Sequence, residues 1–401
     1  MKGRDVRDAL LGVPVPDEAD AGRRSWAVVR GAFEAREPVS RPPRRLRLLV
    51  ALALLAVLVA AALSPPGRAV GGWVRDRVAG EGDAEPALFR LPAPGPLLVV
   101  SEQGPWVVQP DGSKRLLGRY EDASFSPRGL HVVATSARRV VALTPAGELR
   151  WSVTRPEPVS GARWAPSGFR VAYLEGETVR VVAGDGTGDR LLAEGAAPVA
   201  PAWRPGADEN VLAYADAEGR VRVVDADSGE ELVRLPPAAG VRALLWTPDG
   251  LPVVVTESEV RVHGPRGRLL EAASVRLAEG HEVLDVALVA GDAVYADFDP
   301  ADEETMLVRA ACFARGPCRT IGPRAVFAGA GRLEGLTLSP DGRWLLAAWP
   351  DADQLLFLRL GTGRAQRIVA VDDVRREFDP GGTGGRAAPR PAGWCCPAPA
   401  Q

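Results

Sequence analysis

From about residue 97 onward the chain repeats one phrase: a large apolar residue, one further residue, a proline, and a glycine close behind. It reads Phe125-Ser-Pro-Arg-Gly129, Trp164-Ala-Pro-Ser-Gly168, Trp203-Arg-Pro-Gly206, Trp246-Thr-Pro-Asp-Gly250 and Leu338-Ser-Pro-Asp-Gly342. The spacings are 39, 39, 43 and 92 residues, and the last predicts a worn intermediate copy near Ala287 to Asp292. There Leu288-Val-Ala-Gly-Asp292 precedes the strand-like run Ala293-Val-Tyr-Ala296. A period of this size means an array of similar supersecondary units, none of which can bury its apolar surface alone.

Each anchor is followed by short β-rich runs separated by turn signals. After Trp203 these are Val211-Leu-Ala-Tyr214, Val221-Arg-Val-Val224, Asp227-Ser-Gly229 and Glu231-Leu-Val233. Four short strands per unit of about 40 to 45 residues is the blade of a β-propeller, in which blades stack in a ring to hide both sheet faces. Residues 97–397 give 43 positions per blade for seven blades, whereas the six-bladed alternative would need about 50. The first unit, Leu97-Leu-Val-Val100, Trp106-Val-Val108 and Arg115-Leu-Leu117, lacks an anchor strand. Gly393-Trp394-Cys395-Cys396-Pro397 repeats the anchor with one extra residue, so the C-terminal strand is expected to complete blade 1. The blade anchors are therefore Phe125, Trp164, Trp203, Trp246, Leu338 and Trp394, expected to pack between blades.

The phrase, cleanest in Leu338-Ser-Pro-Asp-Gly-Arg-Trp-Leu-Leu346, resembles the TolB-like and WD-repeat-like propellers of bacterial envelopes. The resemblance spans about three-quarters of the chain and implies the fold and a role in binding, not a particular chemistry. The scarcity of lysine (Lys2 and Lys114 only) fits a GC-rich bacterial genome.

Ahead of the repeat, Leu48 to Leu63 is an uninterrupted apolar run of 16 residues between Arg44-Arg45-Leu46-Arg47 and Ser64-Pro65-Pro66. It reads as a single transmembrane helix, residues 48–63, extended by Leu46 and a snorkelling Arg47; a cleavable signal sequence and a buried core helix are its rivals. Residues 1–47 hold 11 basic and 7 acidic groups while the whole chain is at −2. Arginine crowding before the run predicts a cytoplasmic N-terminus and an extracytoplasmic propeller. Within residues 1–47, Trp26, Val29 and Phe33 share one face of a short amphipathic helix. Residues 64–96 are a Pro/Gly-rich linker.

The acidic remainder excludes a nucleic-acid partner, which would require clustered Lys and Arg. No Gly-x-Ser-x-Gly elbow or phosphate-binding loop is present, and His131, His263 and His281 fall in different blades. No catalytic, cofactor-binding or metal-binding residues, and no cofactor, are assigned. The acidic stretch Asp297 to Glu304 reads as a solvated turn rather than a calcium loop. Cys312 and Cys318 flank Phe-Ala-Arg-Gly-Pro, a turn that would place them across a hairpin within disulfide reach. Cys395 and Cys396 are adjacent, and on a strand such neighbours point to opposite faces, so a bond between them would require distorting the strand. The expected function is a non-enzymatic, membrane-anchored binding platform, with an unknown protein or envelope ligand at a propeller rim and the bilayer held through residues 48–63. The alternatives are a transmembrane sensor whose cytoplasmic helix binds a signalling protein, and a propeller enzyme acting on a saccharide or small molecule.

Overall fold

The computed structural model describes residues 90–206, 210–289, 292–311, 324–361, 365, 367–379 and 387–396. The apolar run 48–63, the amphipathic segment before it, most of the linker, and Cys312 and Cys318 lie outside the described residues. Among those described, no helix is long and apolar enough to cross a membrane.

The repeat folds into seven four-stranded antiparallel sheets, which rules out the six-bladed count. Blades 2 to 7 take consecutive strands from residues 122–154, 159–194, 202–234, 243–276, 282–330 and 334–371. Blade 1 is composite: the strand Arg390–Trp394 pairs antiparallel with Leu97–Ser101, setting Leu97 opposite Trp394 and Val100 opposite Arg390. In every sheet the anchor-bearing strand is first, and these first strands are the ones that approach neighbouring sheets, so they lie innermost.

Burial explains the strand sequences. A blade is covered on both faces, so its middle strands need apolar residues at successive rather than alternate positions. Leu97–Ser101, Val211–Ala215 and Trp344–Trp349 are buried almost throughout. The fourth strands stand at the rim and alternate: Leu149–Thr154 and Glu231–Arg234 expose most of their residues.

Each apolar cluster draws on two consecutive blades. Leu98 and Val107 of blade 1 pack with Val132 and Val141 of blade 2, and Val133 and Val140 of blade 2 with Trp164 and Tyr173 of blade 3. The pattern continues from blade 3 to 4, 4 to 5 and 5 to 6. Between blades 7 and 1, Trp344, Leu346 and Phe357 meet Leu97, Val99, Trp106 and Trp394. A short helix, α1 (Val374–Phe378), covers that joint by burying Val374 and Phe378. Phe378 stands edge-on to Trp106 at 5.9 Å.

Part of the expected linker belongs to the ring. Ala93 is buried and the Leu91 amide donates to the Pro110 carbonyl at 3.1 Å, tying residues 91–96 to blade 1 before its first strand begins.

Candidate functional site

The anchor phrase is a turn with a specific hydrogen-bond pattern. In blade 2 the Ser126 amide donates to the His131 carbonyl and Gly129 N–H to the Ser126 carbonyl, both at 2.8 Å. Thr247 to Leu251 and Ser339 to Trp344 repeat it. The hydroxyl before each proline also accepts an amide, His131 N to Ser126 Oγ at 3.0 Å, Leu251 N to Thr247 Oγ1 at 2.9 Å and Trp344 N to Ser339 Oγ at 3.0 Å. The closing glycine is left-handed, with φ of 66° at Gly129 and 81° at Gly250, a region where a side chain is strained.

The anchor tryptophans do more than fill space. Trp203 Nε1 donates to the Arg163 carbonyl of blade 3 at 2.8 Å, and Trp246 Nε1 to the Ala202 carbonyl of blade 4 at 3.0 Å. Each acceptor immediately precedes the previous blade's anchor residue, so these two indoles stitch blade 4 to blade 3 and blade 5 to blade 4. Trp394 Nε1 donates to Gly95 O at 3.1 Å, across 299 residues of sequence. Trp164 is the exception: its buried N–H has no protein acceptor, and its ring stacks on His131 at 6.1 Å.

Blades 6 and 7 are joined by a carboxylate as well as an indole: Trp349 Nε1 of blade 7 donates to the Ala330 carbonyl of blade 6 at 2.7 Å. Asp285, three residues before Leu288, accepts the Val286 amide at 2.7 Å and the Leu336 amide of blade 7 at 2.7 Å. Burial pushes its carboxyl up to about 6, reinforced by the charge of Glu334 and opposed by the donated amides. Asp122 holds the matching place in blade 2, accepting the Ala123 amide at 2.9 Å and pairing with Arg163 at 2.7 Å. At the rim between blades 2 and 3, Arg155, Glu175, Arg180 and Asp189 form one ion-pair network. The Tyr173 hydroxyl donates to Asp189 at 2.9 Å, and burial raises its pKa.

Antiparallel order divides the turns between two faces. Turns from first to second strands and from third to fourth lie on one face, here the anchor face. Turns from second to third strands lie on the other, with the blade-to-blade connections. On this second face an exposed carboxylate occupies the turn in six of seven blades: Glu102, Glu177, Glu218, Glu257, Glu303 and Asp351. Blade 2 carries Arg138 instead. The acidic stretch of residues 297–304 is the blade 6 contribution to this ring, where Asp297 and Asp299 also flank His281 at 2.8 and 3.5 Å. The hydrogen bond that His281 Nδ1–H donates to the Asp297 carboxylate, together with that group's charge, raises the His281 pKa.

On the anchor face, Leu130 and Phe169 hold the same place in blades 2 and 3, directly after the closing glycine, and are 63% and 69% exposed. An open cleft of about 570 Å³ lies between the outer turns of blades 1 and 2, lined by residues including Lys114, Arg115, Thr144 and Glu148.

Cys395 and Cys396 correct the strand argument. The strand ends at Trp394, so alternation no longer governs the two residues, and their sulfurs meet as a vicinal disulfide. It packs on the blade 2 anchor turn, with both Sγ atoms 3.6–3.7 Å from the Ser126 carbonyl oxygen. His131, His263 and His281 sit in blade 2, in blade 5 and at the entry to blade 6. Among the described residues no group of three His, Cys, Asp or Glu side chains is placed to hold a metal ion.

No family model matches the chain, and a search of curated proteins found no match. Solved structures do resemble it. The Kluyveromyces lactis protein Hsv2 aligns at 11% identity and a TM-score of 0.51, over 67% of this chain and 90% of that one. The C-terminal WD40 domain of Sif2 aligns at 11% identity and a TM-score of 0.50, over 66% and 78%. At such identity the likeness is one of fold: a seven-bladed propeller of the WD40 kind.

Proposed function

We propose that this chain is a non-enzymatic binding platform, anchored in a membrane by residues 48–63, whose propeller meets a cationic protein outside the cytoplasm. The observation that carries the reading is the ring of turn carboxylates from Glu102 to Asp351, one per blade in six of seven blades. Glu218 and Glu257 pair with Arg220 and Arg242, and the anchor face carries turn acids of its own in Asp111, Asp185, Asp227, Asp249 and Asp341. The reading therefore rests on the repetition of one turn position, which offers a basic partner an ordered set of pairing points. Residues 91–96 enter blade 1 on the anchor face, opposite this ring of turn carboxylates. The arginine asymmetry around residues 48–63 supports the orientation.

A photo-crosslinking amino acid placed at residue 177, 218 or 257 in the native host should give one protein adduct of common mass. Its yield should fall with rising ionic strength, and with Glu177→Lys and Glu218→Lys combined. Adducts that differ between positions or ignore charge reversal would defeat the platform reading. A reporter fused after Gln401 should be active only outside the cytoplasm, and the reverse result would defeat the topology.

A further inference from the structure

Cys395 and Cys396 lie where three blades meet, and the ring of turn carboxylates makes no use of them. They follow the strand Arg390–Trp394, whose Trp394 ring turns to blade 7 and stands edge-on to Phe357 at 5.6 Å. The Cys395 amide donates to the Pro96 carbonyl at 2.9 Å, just ahead of Leu97 in blade 1. Both sulfurs face blade 2, 3.6–3.7 Å from the Ser126 carbonyl oxygen. The blade 2 turn fits them closely: a Cβ at Gly129 would stand 3.1 Å from Cys395 Sγ and 3.3 Å from Cys396 Sγ. In blades 3, 4 and 5 the anchor phrase has one residue between its tryptophan and its proline, as Trp164-Ala-Pro, Trp203-Arg-Pro and Trp246-Thr-Pro. After Trp394 it has two, and both are cysteine.

The bond holds an arrangement that an extended chain does not keep by itself. Neighbouring side chains on such a chain point to opposite sides, so two adjacent sulfurs share one carbonyl only while they are joined. Once the bond is broken, one of them is free to turn away, and the closing strand loses its hold on the blade 2 turn. The two cysteines also differ in access. Cys395 is 5% exposed, whereas Cys396 is half-buried and open to solvent on one side. An incoming thiolate therefore reaches Cys396 Sγ, and the buried Cys395 sulfur is the leaving group.

We infer that Cys395 and Cys396 form a thiol–disulfide exchange site whose substrate is a dithiol reductant, and that its redox state sets how firmly the closing strand grips blade 2. The reductant's first thiolate attacks Cys396 Sγ and the bond between the cysteines breaks. Cys395 leaves as a thiolate, takes a proton and, as a thiol, donates to the Ser126 carbonyl. The reductant's second thiol gives up its proton and attacks the mixed disulfide, which releases Cys396 to be protonated in turn. Two electrons and two protons have then passed to the protein, and the reductant departs as a disulfide.

In the full chain, Cys312→Ser with Cys318→Ser leaves Cys395 and Cys396 as the sole cysteines. Protein purified without reductant should resist alkylation, and dithiothreitol should release two thiols per chain, Cys396 being alkylated before Cys395. Amide hydrogen exchange at residues 126–131 and 390–396 should rise at least about tenfold on reduction and fall back on reoxidation, while residues 211–225 of blade 4 keep their rates. Cys396→Ser should exchange at the faster rate with or without reductant. The wild-type chain, mapped by peptide through the same titration, should behave alike at these residues, so the test does not depend on any variant folding. Two thiols found free before reduction would overturn the inference, as would exchange at residues 126–131 that ignores reduction. Faster exchange spread evenly over all seven blades would make the bond a general stabiliser and would equally overturn a local grip on blade 2.

Discussion

Blades 4 and 6 are built to the same plan and joined to their neighbours by different chemistry. Blade 4 begins with Trp203, whose ring is buried in the blade 3–4 cluster and whose N–H is spent on the Arg163 carbonyl. Blade 6 has no aromatic anchor; at its joint with blade 7 a half-buried carboxylate, Asp285, takes the amide of Leu336 beside an indole, Trp349, whose N–H goes to the Ala330 carbonyl. An indole couples apolar burial and a hydrogen bond in one group that does not titrate. A carboxylate supplies only the hydrogen bonds, and its burial makes the joint sensitive to pH. The worn repeat is held to blade 7 by both kinds of group, the Asp285 carboxylate and the buried Trp349 indole.

The most disruptive break lies at neither blade. Removing residues 388–401 strips Leu97–Ser101 of its partner strand, and cooperative thermal unfolding should be lost, with aggregation through the bared edge. A truncated protein melting at the intact temperature would mean that pairing at Arg390–Trp394 is dispensable. Next in size, Trp203→Ala and Trp394→Ala should each destabilise by about 3–5 kcal/mol in denaturant titrations, since both lose a buried ring and a hydrogen bond. A cost below about 1 kcal/mol would show that the cluster collapses onto the hole.

For blade 6 the prediction concerns pH. The Asp285 carboxyl is raised from its ordinary 3.8 to about 6, so the folded protein keeps this proton more tightly than the unfolded chain. The linked stabilisation is fully present below about pH 3.8 and is lost as pH rises through about 6, amounting to at most about 3 kcal/mol. Asp285→Asn should therefore flatten the dependence of melting temperature on pH between about 4 and 7 relative to wild type. Parallel curves would remove the acid from the joint. The smallest effect sharpens the role of the indole N–H. Trp203→Phe, which leaves the Arg163 carbonyl without its donor, should cost about 1 kcal/mol more than Trp164→Phe, whose N–H has no acceptor. Equal costs would reduce the tryptophans to filler.

The sequence makes the ring legible because its anchors are chemically constrained. The proline and the left-handed glycine serve one turn, and in three copies a hydroxyl before the proline adds a bond to it, so the phrase survives in copies as unlike as Phe125 and Leu338. Pairing of Trp394 with Leu97 followed from counting strands. Other features had weaker signals. Helix α1 is only five residues long, too short for periodicity to register. Asp285 looks like any surface acid until Leu336 is brought against it. The carboxylate ring was present as an acid near the end of six of the seven second strands, but Glu102, Glu177 and Glu303 share no flanking residues, and only the common turn position makes them a set. Nothing in Gly168-Phe169 indicates that this side chain faces outward, since aromatic residues after a turn usually open a buried strand.

The bond between the two ends of the ring also sets an order of events. Gly95 and Trp394 are 299 residues apart, and at synthesis rates of about 5–20 residues per second the partner of Leu97–Ser101 arrives roughly 15–60 s after that strand has emerged. For that interval six blades can stack while a Leu-Leu-Val-Val edge stands open, an edge that would accept a strand from any neighbouring chain. Whether the protein reaches its ring is then decided by what shields four residues during that wait, and a slower ribosome or a crowded nascent chain lowers the yield without altering the finished molecule at all.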